Sequence, residues 1–285
     1  MKKRSGINPL SITKYWKNLQ PPDIEQLRQS GYSFYDQTFP PNKNSLISKN
    51  QYGEFVDKAR GPSQLKDFEE DIEGGADRLV WKRVTEISPK WEVFEGKIEF
   101  NDVQQGSLGD CYFLSSITAL TEYPYLIKEK FRTTEFNQEG YYEIIFFIDG
   151  EWQVLFLDDY FPYDPKRKTF AFARPHNNEL WAMLLEKAWA KLNGGYSNII
   201  GGIVSEPISS LTGFPTEYLS HKKLEEDEVF KKIEDGEKEG TIMSSASKGE
   251  DIVEKRGLVQ AHAYTLMCAR KWEERNIYLI RLRNP

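Results

Sequence analysis

Cysteine is scarce in this chain. Two residues in 285 cannot form a disulfide framework and fit a reducing compartment, so the expected location is the cytoplasm. Long apolar runs are also missing. Runs such as Ile144 to Ile148 have strand length and fall well short of the ~20 residues a membrane span needs. The start, MKKRSGINPLSITKYWKN, is basic but lacks the apolar stretch of a secretory signal. Basic charge is not in excess either: 38 Lys and Arg stand against 44 Asp and Glu, a net −6. That balance argues against nucleic acid as a partner. No internal repeat and no low-complexity tract is present. With 39% hydrophobic and 29% charged residues, the composition is that of a folded soluble chain of one large or two ordinary domains.

Residues 1–50 are polar and rich in Pro, Asn and Ser, and FPPNKNSL at Phe39–Leu46 reads as loop in an N-terminal arm. Residues 65–78 are acidic and end at Gly74-Gly75, the pattern of a surface helix and turn. From Cys111 the pattern is helical, with Phe113, Leu114, Ile117 and Leu120 at three- and four-residue steps and a stop at Pro124. YYEIIFFI and EWQVLFL, joined by Asp149-Gly150, predict a hairpin over 141–157. A second helix is expected over 179–193, with Trp181, Leu184, Leu185, Ala188 and Leu192 on one face.

The glycine-rich stretch 194–215 reads as a linker or a backbone-lined groove and as the subdomain boundary. Beyond it, Val229, Phe230 and Ile233 mark a short helix with acids Glu225–Glu228 at its start, as the macrodipole prefers. Strands are expected over 241–247, 262–268 and 277–283. In the last, Tyr278, Ile280 and Leu282 share one face, and Arg281 and Arg283 the other. Helices leading and strands following suggest an α+β arrangement of two lobes.

Cys111 opens its helix after the turn Gln104-Gln105-Gly106-Ser107-Leu108-Gly109-Asp110. Helix N-termini stabilise anions, and thiolate is the reactive form of cysteine. The same N–H groups could hold an oxyanion, with the Gln105 amide beside them. Asp110 opposes thiolate formation unless it caps the helix. From these features alone, a small buried hydrophobe is the commoner role for a lone cysteine, and Cys268 in YTLMCA reads as core. A nucleophile needs a base, and there are three histidines. His176 and His221 lie in polar loops and read as solvated. His262, entering a strand between Ala261 and Ala263, is either a satisfied core imidazole or a base opposite Cys111. Asn284, at the end of the last strand, is placed to orient that ring without charge.

These segments resemble the calpains. QQGSLGDCYFLSSITAL matches the family's Gln-Gly-x-x-Gly-Asp-Cys-Trp and the helix after it. LVWKRVTEI, GEWQVLFLDDYFP, LWAMLLEKAWAKLNGGYSNIIGG, GLVQAHAYTLM and LIRLRNP follow in the family's order, over roughly residues 34–285. The resemblance implies a papain-like, two-lobe cysteine protease core of α+β class. Its parts are an arm (1–50), a helical lobe (51–212) and a β-rich lobe (213–285) that is incomplete, with further C-terminal domains or a regulatory subunit as possible partners.

By the same resemblance the nucleophile falls on Cys111, the general base on His262, the orienting amide on Asn284 and the oxyanion donor on Gln105. The implied activity is calcium-dependent endoproteolysis of intracellular proteins. Ca2+ in the first lobe is expected on the side chains of Asp102 and Glu186 with carbonyls around Glu95 and Lys97, and the second calcium loop is expected beyond Pro285. Gly201-Gly202 and Gly213 are expected to admit an extended substrate. Tyr112 stands where calpains usually carry Trp, Ala261 where they usually carry Gly, and the Trp that follows Asn-Pro in the family is absent. The alternative is a non-catalytic calpain-like binding or scaffold module, which retention of Cys111, His262, Asn284 and Gln105 disfavours.

Overall fold

The computed structural model describes residues 20–47, 75–220, 223–247 and 257–285. The basic start, most of the expected helix over 65–78, and His221 lie outside these residues. Of the 65–78 segment, what is described is a 3-10 turn at Ala76–Arg78.

Helix α1 (Ile24–Ser30) starts at Asp23, whose carboxylate accepts the Gln26 N–H at 3.0 Å. The stretch expected as loop contains a short helix, α2 (Lys43–Leu46), because the Asn42 side chain accepts the Asn44 N–H and nucleates the turn. Phe39, Leu46 and Ile47 enter the hydrophobic core. The described end of the expected arm is therefore part of the folded body.

Strand β1 (Val80–Arg83) comes next, then the two-residue β2 (Val103–Gln104) and the helix α3 (Cys111–Leu120). Pro124 does not end α3 but opens a separate helix, α4 (Pro124–Lys128), where its missing N–H costs nothing. Strands β3 (Tyr141–Ile148) and β4 (Glu151–Asp158) form the expected hairpin. Its turn has φ 51° at Asp149 and 83° at Gly150, the two positive values a type I′ turn requires. Strand β5 (Tyr160–Asp164) lies between β1 and β6 (Thr169–Phe170), while β7 (Arg174–Pro175) pairs with β2.

Helix α5 (Trp181–Leu192) is buried almost all round. Its Trp189 stacks on Phe113 of α3 with ring centroids 5.5 Å apart, a contact worth ~1 kcal/mol beyond area burial. Its two buried lysines are saturated with acceptors. Lys187 Nζ donates to the Asp158 carboxylate, to the Asp158 carbonyl at 2.9 Å and to the Tyr160 carbonyl at 2.6 Å. Lys191 Nζ bonds Asp36 Oδ2 at 2.6 Å, and the Asp36 N–H bonds the second Asp158 oxygen at 2.9 Å. This ladder locks residues 34–39 to the core.

The stretch expected as a linker is ordered. It holds a 3-10 turn (Tyr196–Ile199) and helix α6 (Ser205–Thr212), which buries Ile208 and Leu211. Pro207 is tolerated because it sits in the first turn of α6. Gly202 is required by packing: a Cβ there would lie 2.3 Å from the Tyr112 ring. Gly213 caps α6 at φ 72°. Both glycines are thus explained inside the fold, without a substrate.

Helix α7 (Glu226–Glu239), longer than the short helix expected from its three apolar markers, carries Glu226, Asp227 and Glu228 in its first turn. It packs on an antiparallel sheet in the order β10 (Ile277–Arg283), β9 (Ala263–Trp272), β8 (Met243–Ala246). Ile277, Tyr278, Leu279 and Ile280 of β10 are exposed. The architecture is mixed α+β, but the expected order of helices before strands does not hold, since seven of the ten strands among the described residues precede α6.

Candidate active site

The loop before α3 is pinned by a close backbone approach. A Cβ on Gly106 would lie 1.9 Å from the Phe172 carbonyl oxygen, and the next N–H, of Ser107, donates to the Ala171 carbonyl at 2.8 Å. Only glycine lets the loop lie this close to residues 171–173. Gln105 folds back over it, its Nε2 donating to the Leu108 carbonyl at 2.7 Å and keeping one amide hydrogen in reserve. The other side of the loop is held where Gly201 N–H donates to the Gly109 carbonyl at 2.8 Å.

Asp110 does not cap α3 through its side chain. Its carbonyl accepts from Phe113 and Leu114, while its buried carboxyl hydrogen-bonds Glu186. Cys111 is partly buried, and its thiol is pushed up from the ordinary value by that burial, with the Asp110 charge adding to it. The Ala263 N–H donates to the sulfur and works the other way. The described structure therefore brings Cys111 directly against the residue that follows His262. Thr265 Oγ1, further along β9, donates to the Ser115 carbonyl of α3 at 3.2 Å, which anchors the two elements to each other.

His262 is held by its backbone: its N–H donates to Ser247 Oγ at 3.1 Å and its carbonyl accepts the Ser247 N–H at 2.9 Å. The ring stands edge-on to Tyr264 at 4.9 Å. Its Nε2 lies 2.5 Å from Asn284 Oδ1. An amide oxygen only accepts, so the pairing assigns the proton to Nε2 and leaves Nδ1 free as a base. Ala261, just before it, has φ 48°, the left-handed region in which a Cβ costs roughly 1–2 kcal/mol. His176, expected in solvent, is half-buried with Nδ1 3.1 Å from Gln104 Nε2. Cys268 is partly buried in β9.

The two carboxylates expected to share a cation are not brought together. Glu186 lies on the core face of α5, where Oε1 accepts the Ala173 N–H at 2.8 Å and the carboxyl meets Asp110. Burial, with Asp110 beside it, holds Glu186 well above the usual carboxyl range. Two carboxyls bonded to each other must hold a proton between them, since carboxylates only accept.

Asp102 instead meets Glu179, which precedes α5. The two side chains are hydrogen-bonded, and Glu179 Oε1 also accepts the Glu95 N–H at 2.5 Å. Burial raises Glu179 to about 7, with Asp102 contributing. A pair of carboxyls beside the exposed loop Glu95–Lys97 fits a hard cation that wants oxygen ligands. The donor set on Asp102 and Glu179 therefore suits calcium, and that on Glu186 does not. Among the described residues no group of three or more His, Cys, Asp or Glu is clustered for a metal, so carbonyls must complete such a site. The sequence held one signal that separates the glutamates. Glu179 follows polar Asn177-Asn178, while Glu186 sits among Leu184, Leu185 and Ala188.

Comparison with known proteins gives a match to the family described as calpain family cysteine protease, over residues 34–285. The chain is 35% identical over 261 residues to the calpain-type cysteine protease DEK1 of Arabidopsis thaliana, covering 88% of this chain and 11% of that protein. It is 34% identical over 277 residues to the calpain-1 catalytic subunit of Homo sapiens, covering 92% of this chain and 36% of that one. The chain thus spans about a tenth to about a third of the length of these relatives.

Proposed function

This chain belongs to the calpain family of cysteine proteases, and we propose that it hydrolyses internal peptide bonds of intracellular proteins with Cys111 as nucleophile and His262 as base. The observation that carries this reading is the arrangement of one thiol and one oriented imidazole. Asn284 occupies Nε2 of His262, and the backbone of the next residue donates to the Cys111 sulfur.

His262 Nδ1 takes the thiol proton, and the sulfur forms a bond to the scissile carbonyl carbon. The oxyanion is held by the Cys111 N–H and the remaining Gln105 amide hydrogen, donors that typically contribute about 3 kcal/mol each. The imidazolium then protonates the leaving amine as the C–N bond breaks, leaving a thioester. His262 next deprotonates water. The hydroxide attacks the thioester carbon, the C–S bond breaks, and the imidazolium and thiolate are restored. Before this cycle the thiol is held up by burial, so the ion pair depends on His262 being in register.

In this reading the core is papain-like with two lobes, residues 213–285 belonging to the β-rich one. Asp102 and Glu179, with carbonyls around Glu95 and Lys97, would hold calcium, whose charge would neutralise the two adjacent carboxylates beside the loop leading to Gln105. Protein substrates, and further domains or a regulatory subunit, are the expected partners. The test is Cys111→Ala with an iodoacetamide probe. Cleavage should vanish, and labelling in the unaltered protein should fall on Cys111 ahead of Cys268. Peptide cleavage that survives the substitution removes Cys111 from the role.

A further inference from the structure

Asn284 orients the base, but it lies on the exposed face of the molecule, so something else must fix where it stands. Its neighbour Arg283 ends β10 with a side chain only 14% exposed. The guanidinium reaches across to the body that carries Cys111 and meets two groups there. Nη1 donates to Glu122 Oε1 at 2.8 Å, and Cζ stands 4.1 Å from the centroid of the Phe100 ring. Glu122 lies two residues beyond the end of α3, the helix that Cys111 opens. Phe100 opens the 3-10 turn that ends at Asp102. One side chain thus ties together the strand bearing the orienting amide, the nucleophile helix and the acidic loop.

We propose that Arg283 is a positioning residue, a clamp that sets the His262–Asn284 pair in register with Cys111; the proposal rests on the protease reading given above. The local strand geometry favours this use. The pairing of β10 with β9 shifts between Arg281 and Leu282, a bulge that adds twist and re-aims the residues after it. Arg283 then lies opposite Thr265, the residue that bonds the α3 backbone, so the clamp and that bond secure adjacent strands against α3 and the turn that follows it.

The energetics separate a clamp from a structural brace. Glu122 is half exposed, so the ion pair adds little to stability, and a cation resting on a half-exposed ring adds only a modest increment. Register is another matter, because a misplacement of about 1 Å at a reacting pair can cost on the order of 10²-fold in rate. The chemistry should therefore be far more sensitive to these contacts than the fold.

The test replaces Phe100 by Ala, Glu122 by Gln and Arg283 by Met or Lys in the whole protein, together with the Phe100→Ala/Arg283→Met double variant. Two quantities are read: the rate of Cys111 alkylation by iodoacetamide from pH 5 to 9, and kcat and KM on a peptide substrate. Arg283→Met should cut alkylation near pH 6.5 and kcat by about tenfold with KM almost unchanged, through a displaced catalytic pair. The double variant should lose no more than Arg283→Met, because both changes remove one contact. Arg283→Lys should recover part of the loss through Glu122 alone. Unchanged alkylation profiles, or losses that simply multiply, overturn the clamp. A protein that cleaves nothing, yet whose thiol reactivity falls in Phe100→Ala, sinks the protease reading and keeps the clamp. Normal cleavage in every variant does the reverse.

Discussion

The acidic pair at Asp102 and Glu179 makes a prediction whose sign runs against the usual behaviour of surface carboxylates. Glu179 is raised from an ordinary 4.5 to about 7, first by burial and then by Asp102, with the Glu95 N–H working against both. Between those two values the folded chain holds a proton that the unfolded chain has released. Folding stability must therefore fall as pH rises through this window. The slope has a limit of about 1.4 kcal/mol per pH unit, which caps the effect at ~3 kcal/mol. Solvent reaches the exposed neighbours Glu95–Lys97, and screening there brings the expected loss to about 1.5 kcal/mol. For a chain of this size that is roughly 3–6 °C in Tm.

The assay is thermal unfolding in chelator at pH 5, 6, 7 and 8, repeated with calcium, for the unaltered chain, Glu179→Gln and Glu186→Gln. Glu179→Gln keeps an acceptor for Glu95, gives Asp102 a donor, and should flatten its share of the pH dependence. Calcium should restore stability at pH 7–8 in the unaltered chain and in Glu186→Gln, and do little for Glu179→Gln. Superimposable pH curves for the unaltered chain and Glu179→Gln, or a calcium response lost in Glu186→Gln and kept in Glu179→Gln, would refute the reasoning.

Three further outcomes follow from packing and backbone geometry. Ala261→Gly should stabilise the protein by about 0.5–1 kcal/mol in urea titrations, the relief at φ 48° exceeding the entropy glycine adds to the unfolded chain. Gly106→Ala should abolish turnover and lower stability by roughly 3 kcal/mol or more, because a carbonyl 1.9 Å from the new Cβ forces the backbone apart. Glu186→Gln should be nearly neutral in stability at pH 7, since an amide serves both Ala173 and Asp110 as the protonated acid does. Glu186→Leu should cost about 2–3 kcal/mol by leaving those groups unsatisfied.

Much of the framework was legible because it is encoded locally. Helix α3 shows a clean apolar period, and the hairpin shows two apolar runs around a dipeptide suited to positive φ at both positions. What was not legible depended on distant neighbours. Pro207 and the glycines around it look like a linker until Ile208 and Leu211 find the core. Gly202 looks like room for a ligand until the Tyr112 ring fills it. The arm looks free until Asp36 meets Lys191, 155 residues away. The choice between the two glutamates turns on a sharper point. Glu179 and Glu186 are seven residues apart, and a helix expected over 179–193 puts both on one side and cannot say which is inside, whereas α5 starts only at Trp181 and leaves Glu179 before it. Burial decides, and burial belongs to the partner elements.

The same dependence on distant neighbours explains why stability and chemistry are decoupled at this centre. The buried ladder of Asp36, Lys191, Asp158 and Lys187 and the stacked Phe113–Trp189 pair lie wholly within residues 36–191 and involve no residue of the C-terminal sheet. The Cys111 thiol gains nothing from that solidity, since burial and Asp110 both push it up from its ordinary value. In the proposed mechanism its ionisation comes from the other side, through the Ala263 N–H and the His262 imidazole. The strand carrying them meets α3 through the Thr265 hydroxyl bond, the Ala263 N–H on the sulfur and the buried side chains at the start of β9, and the residue after β10, Asn284, is held beside the ring by the grip proposed for Arg283. In the proposed mechanism the contacts at this junction set the charge on the sulfur, while the buried ladder serves the fold. A change at this junction must register as lost reactivity well before it registers as lost fold.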